Sequence, residues 1–168
     1  MTREVVLEPP RLVVTTWEPG DVDDLYAVHS DPLTMRFVRH GRPESREEVA
    51  ALLAAYIAEQ EETGVTKWRV VTSEGRFAGR AGFGGFGDGR ELGFTLHREL
   101  WGQGLATELA TALVAWHCRY AAPLPLWGFA SAANHASRRV LTKVGFVREG
   151  STEFYGETCP LYRWPADR

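Results

Sequence analysis

The chain has 168 residues, 44% of them hydrophobic and 24% charged, with a formal net charge of -3. A chain of this length buries about 70% of its unfolded surface and needs neither metal nor crosslink to fold, and its slight acidity offers no basic field for nucleic acid or anionic lipid. Cys118 and Cys159 match no zinc spacing and suit a reducing, cytoplasmic setting, while neither a secretory signal nor an apolar stretch of membrane-spanning length is evident.

The first predicted element is a strand over 11–17 (RLVVTTW), rich in β-branched residues and broken by EPGD, followed by a short helix over 21–30. Ser45 and Glu48 form a capping box ahead of Val49, Leu52, Leu53, Tyr56 and Ile57 at helical spacing, which predicts a helix ending near Gly64. KWRVVT, FAGRAGFGGF and ELGFTL then read as an antiparallel meander turned at SEGR and GDGR. Leu105, Leu109, Leu113, Trp116 and Tyr120 define a second amphipathic helix. LWGFAS reads as a buried strand, 134–144 as a short helix stopped at Gly145, and FVREG with EFYGE and LYRW as a closing hairpin. No repeat, linker or low-complexity tract divides the chain, so residues 1–168 are expected to form one mixed α/β domain.

Chemistry concentrates in ELGFTLHRELWGQGLATEL, where a strand runs into glycines that open a helix. Gly102 and Gly104 remove side chains that would bar a ligand from the backbone, and the unpaired N–H groups of a first helical turn attract anions. The turn Gly102, Gln103, Gly104, Leu105 and Ala106 is therefore expected to hold a phosphate-bearing cofactor. Gly82, Gly84 and Gly87 also satisfy the dinucleotide fingerprint, but a strand pattern follows them where that motif needs a helix. The five histidines show no metal-ligand spacing.

Nearly the whole chain resembles the GNAT superfamily of acetyl-CoA-dependent N-acetyltransferases, and within it the ribosomal-protein and small-amine branch. The resemblance is carried by LEPPRLVVTTWEPGDVDDLYAVHSDPLTMRFV, by ELGFTLHRELWGQGLATEL, and by Asn134, Ser137, Lys143, Gly145 and Phe146 in NHASRRVLTKVGF. It implies a central, twisted, mostly antiparallel sheet flanked by helices, with a splayed strand at the cofactor site. It further implies that Phe94, Thr95 and Leu96 offer backbone groups to pantetheine, and that amides from Gly102 through Thr107 hold the pyrophosphate. Trp101 stands where the wider family has Arg or Gln, leaving Arg98, Arg138 or Arg139 as candidate helpers.

By the same resemblance Asn134 approaches the pantetheine arm, although its position equally suits a helix N-cap. Ser137 resembles a serine near the leaving sulfur, or is a solvated helix hydroxyl. Many relatives place a general-acid tyrosine where this chain has Leu141. Glu91 sits where a carboxylate often draws off the acceptor's proton, or is an exposed strand-end residue. The reading is direct attack by a primary amine within a ternary complex, the alternatives being a non-catalytic acyl-CoA-binding module and a nicotinamide enzyme. At pH 7 an α-amine of pKa near 8 costs about 1.4 kcal/mol to deprotonate and a lysine about 4.6 kcal/mol, which makes an α-amine or other low-pKa amine the easier substrate; the resemblance implies a protein α-amine or a small amine. The segments 35–40 and 155–159 are expected to choose the acceptor but carry no readable code, and the acidic balance hints at cationic acceptors. Homodimers are common in the family; neither nucleic acid nor membrane is expected as a partner.

Overall fold

The computed structural model describes residues 2–167. Eight strands form one sheet: β1 (Val5–Leu7), β2 (Leu12–Thr15), β3 (Lys67–Thr72), β4 (Phe77–Phe86), β5 (Gly89–Leu96), β6 (Leu126–Phe129), β7 (Val147–Phe154) and β8 (Glu157–Arg163). They lie in chain order except that β8 stands between β6 and β7. Every pairing is antiparallel apart from β5 with β6. The helices are α1 (Val22–His29), α2 (Pro32–Met35), α3 (Arg46–Thr63), α4 (Leu105–Tyr120) and α5 (His135–Val144). Among the described residues no helix is long and apolar enough to cross a membrane.

The period-two alternation of the strands separates two cores. Trp68, Val70, Ala81, Phe83, Leu92 and Leu96 pack with Leu105, Leu109 and Leu113 of α4 and Leu141 of α5. On the other side Trp17 packs with Leu25 of α1 and with Val49, Leu53 and Tyr56 of α3. The capping box of α3 is formed as expected, and Gly64 closes that helix in the left-handed region at φ 76°. The meander is also formed, with β4 and β5 in continuous register from Gly79↔Leu96 to Phe86↔Gly89. The glycines at 82, 84 and 87 lie in β4 and its turn, and a strand follows them. Gly82 serves close packing, since a Cβ there would stand 2.1 Å from the Thr66 carbonyl oxygen.

Two elements go beyond the sequence expectation. β1 pairs along β2 and sets an extra edge on the sheet, and the single-turn α2 is capped by Asp31, whose carboxylate accepts from the Thr34 amide at 3.2 Å. The first expected strand is shorter than read. It ends at Thr15 because Trp17 leaves the sheet for α3, exchanging main-chain hydrogen bonds with the Gln60 side chain at 3.0 and 2.9 Å.

A buried hydrogen-bonded chain ties the segment after α2 to β4. His29 is fully buried; its Nδ1 lies 2.6 Å from Glu44 Oε1, and its Nε2 accepts from Arg80 Nε at 3.0 Å. With Nε2 an acceptor, the ring is the neutral Nδ1–H tautomer, donating to Glu44. Burial, reinforced by the Arg80 charge, pushes His29 down to about 4. Burial would raise Glu44, but the hydrogen bond from His29 and the Arg39 charge hold it below the usual carboxylate range.

Between pH 6.5 and 4 the unfolded chain binds a proton at this histidine that the folded chain refuses, so stability must fall as pH falls through that window. A loss on the order of 3 kcal/mol is expected. Urea unfolding at stepped pH should show it, and His29→Gln, which cannot titrate, should flatten that part of the profile; equal slopes in both proteins would contradict the assignment.

Candidate active site

β5 outruns its parallel neighbour. It pairs with β6 only through Arg90, Glu91 and Leu92, opposite Leu126, Trp127 and Gly128, yet continues to Leu96. Main-chain groups of successive residues in a strand point alternately to its two neighbours. The Arg90 amide donates toward β6, to the Pro125 carbonyl at 2.9 Å, whereas the His97 amide donates toward β4, to the Ala78 carbonyl at 2.7 Å. By that alternation Phe94 and Leu96 turn their main-chain groups into the gap, and Thr95 turns its own to β4. The expected trio therefore divides: Thr95 lines the site without free backbone groups. The Leu96 carbonyl is occupied as well, accepting from the Trp101 indole at 3.0 Å.

The gap opens into a cavity of about 340 Å³ bounded by the end of β5, the start of α4, one face of α5 and the turn after α2. Phe94, Thr95, Leu96, Trp101, Gly102 and Gly104 line it. So do Leu105, Ala106 and Thr107 of α4, with Asn134 and Ser137 of α5. Gln103 does not; its side chain donates back to the Glu99 carbonyl at 3.3 Å.

Glu91 lines neither this cavity nor the smaller one beside it, its carboxylate being ion-paired with Lys67 over Gly84 and Gly93, whose missing side chains make the room. The reading of Glu91 as an exposed strand-end residue is thereby corrected: its side chain is 12% exposed.

The turn before α4 shows why glycine stands there. Gly102 and Gly104 both have left-handed φ, 75° and 76°, which costs other residues roughly 1–2 kcal/mol. Gly104 is also the N-cap and has no side chain to cap with, and the first intrahelical bond comes only from Glu108, at 3.1 Å to the Gly104 carbonyl. The amides of Leu105, Ala106 and Thr107 are thus left for a ligand. Glu108 would repel an anion, but Arg11 holds it, main chain at 2.8 Å and Nε at 2.9 Å.

Of the candidate helpers, Arg98 is 3.4 Å from Asp31, and Arg138 is bound to the Tyr162 hydroxyl at 3.1 Å and the Ala132 carbonyl at 2.9 Å. Arg139 remains, and Lys143 joins it one turn on; both line the cavity and neither has an ion-pair partner among the described residues. Asn134 fills its cap role, accepting from the Ser137 amide at 3.2 Å while its Nδ2 donates to Ser137 Oγ at 3.0 Å. Leu141 is 2% exposed and packed on Gly128, so no hydroxyl stands at that position.

Segments 35–40 and 155–159 meet across a second pocket of about 130 Å³, which shares Arg36 and Phe37 with the larger cavity. His40 and Tyr155 pack edge to face at 4.6 Å, and Ser131 donates to Glu157 in the wall. The sequence named the two segments but gave no sign that Arg36, Ser131 and Glu157 would converge. No cluster of three or more metal-ligating side chains occurs among the described residues.

Residues 11–147 match the acetyltransferase (GNAT) domain family. The chain belongs to the GNAT family. GNAT enzymes take their acetyl group from acetyl-CoA, so this is an acetyl-CoA-dependent acetyltransferase. It is similar to an uncharacterized N-acetyltransferase, YoaA, of Bacillus subtilis, at 23% identity covering 89% of this chain and 87% of that one. Its fold is like that of a GNAT-family acetyltransferase from Bacillus anthracis, with TM-score 0.83, 18% identity and coverage of 96% and 99%. It is also like a Salmonella typhimurium acetyltransferase that modifies the N-terminal serine of ribosomal protein L7/L12, with TM-score 0.81, 17% identity and coverage of 96% and 98%. The splayed strand and the mostly antiparallel sheet of this GNAT enzyme are those the resemblance implied, and the sheet has eight strands.

Replacing both Arg139 and Lys143 by glutamine is expected to weaken acetyl-CoA binding about tenfold or more at low salt and to flatten its salt dependence, as read by calorimetry. Binding of pantetheine, which carries no phosphate, should change little.

Proposed function

We propose that this enzyme moves the acetyl group of acetyl-CoA to a primary amine, on a small molecule or a protein N-terminus, by direct attack within a ternary complex. The observation that carries this reading is the meeting, in one cavity, of unpaired β5 main chain with the uncapped start of α4. Strand groups there suit an amide-bearing arm, helix amides with Arg139 and Lys143 suit phosphates, and the left-handed glycines leave the backbone open. The donor supplies an activated thioester when bound.

The chain's own residues position and move protons. The Phe94 amide and carbonyl and the Leu96 amide align the arm. Ser137, fixed by Asn134, accepts one hydrogen bond from that amide and keeps its own O–H free to donate to a leaving sulfur. The amine must arrive neutral, which an α-amine does at lower cost than a lysine. Glu157 is the carboxylate that faces the smaller pocket, whereas Glu91 is engaged by Lys67 and supports the strand. As nitrogen bonds to the acetyl carbon the carbon–sulfur bond would break, the proton shed by nitrogen would pass to Glu157, and one would reach the thiolate through the Ser137 hydroxyl, which solvent resupplies.

No enzyme thiol takes part. Cys118 is exposed on α4, and burial, with Glu157 nearby, pushes Cys159 up and away from the reactive thiolate. The similarity to an enzyme acting on an N-terminal serine supports an amine acceptor.

Release of free CoA over a panel of amino acids, peptides with free N-termini, polyamines and aminoglycosides should identify a productive class, with intersecting double-reciprocal lines. Ser137→Ala is expected to lower kcat about tenfold or more with acetyl-CoA affinity unchanged. Parallel lines, or bound acetyl-CoA with no release on any amine, would refute the mechanism or the transfer respectively.

A further inference from the structure

The smaller pocket carries marks of a built site. The two non-glycine residues with left-handed φ among the described residues, Arg39 at 52° and Tyr155 at 49°, are both in its wall. Such conformations persist where surroundings enforce them and gather at functional sites. Arg39 is anchored to the buried Glu44 at 3.2 Å, and its guanidinium lies 5.8 Å from the centre of the Tyr155 ring.

The titratable groups facing this pocket are Arg36, Arg39, His40, Tyr155, Glu157 and Cys159. Glu44 offsets Arg39, and His40 is packed edge-on against Tyr155. Glu157 accepts from Ser131 and has no cation within ion-pair distance among the described residues. Arg36 lies over the Phe37 ring at 4.6 Å, also without a carboxylate partner among those residues. One guanidinium and one carboxylate thus face the same small space without counter-ions. The rings of Phe37, Phe129 and Phe154 line the same pocket, with Phe129 and Phe154 in contact at 4.7 Å.

Resting on the transferase reading above, we propose that the acceptor is a free α-amino acid with an apolar side chain. Its carboxylate pairs with Arg36, its amino group is received at Glu157, and its side chain lies among the phenyl rings. Arg36 borders both cavities, so a carboxylate held there keeps the neighbouring amine at the mouth of the acetyl-donor site. A guanidinium matches a carboxylate in two parallel hydrogen bonds. A peptide N-terminus lacks that carboxylate and would leave Arg36 unanswered.

The test is CoA release with leucine, methionine and phenylalanine against their amides and against peptides beginning with the same residues, for the wild type, Arg36→Gln and Arg36→Lys. The wild type should favour each amino acid over its amide by tenfold or more in kcat/KM. Arg36→Gln should bring that ratio to about one, with Arg36→Lys in between. Turnover of amides or peptides equal to that of amino acids would overturn the inference and leave the transferase standing, as would a preference that survives Arg36→Gln or a change confined to the KM for acetyl-CoA. No release from any amine would sink both.

Discussion

Backbone amides and carbonyls that lose a sheet partner inside a protein must find another or pay heavily in free energy, and β5 creates that debt by design. After Leu92 the strand has no neighbour on its β6 side, so Phe94 and Leu96 face a gap rather than a ladder. Part of the deficit is met locally, since the Trp101 indole satisfies Leu96 and ties the glycine turn to the strand. The rest defines the cavity. The uncapped start of α4 adds three further donors, and α5 brings Asn134, Ser137, Arg139 and Lys143 to the opposite wall. The site is thus a set of ordinary rules of secondary structure left incomplete in one place.

Charge is distributed against the average. The chain as a whole is mildly acidic, yet the cavity wall carries Arg36, Arg139 and Lys143. Four acidic residues nearby are paired with cations of their own, Glu108 with Arg11, Glu91 with Lys67, Asp31 with Arg98 and Glu44 with Arg39, whereas Glu157 is not. Net charge is a sum over the whole surface and does not say which charges remain unpaired at one pocket. The neutral His29 between Glu44 and Arg80 extends this pattern into the interior, linking the segment after α2 to the middle of the sheet without adding charge.

Much of this was legible in sequence wherever the signal was local. The Ser45 and Glu48 box, Gly64, the three-strand meander, the glycine turn at 102 and 104 that opens α4, and the N-cap at Asn134 each act within a few residues, and each of these local structures is formed as read. β1 escaped because three residues give no periodicity, and α2 because one turn gives no amphipathic pattern. Which of Phe94, Thr95 and Leu96 faces the gap depends on strand parity relative to β4, and that is fixed only by pairing. The Lys67–Glu91 pair and the convergence of Arg36 with Glu157 join residues 24 and 121 positions apart (91 − 67 and 157 − 36), a separation over which sequence carries no readable cue.

Leu141 and Gly128 are fitted to each other: a Cβ on residue 128 would come within 2.7 Å of a Leu141 methyl carbon. A bulkier or phenolic side chain at 141 would have to settle against Gly128 of β6, and a side chain at 128 would oblige the Leu141 methyl groups to shift. The two positions are therefore coupled: a larger side chain on this helix at 141 would call for compensating change in the strand beneath it.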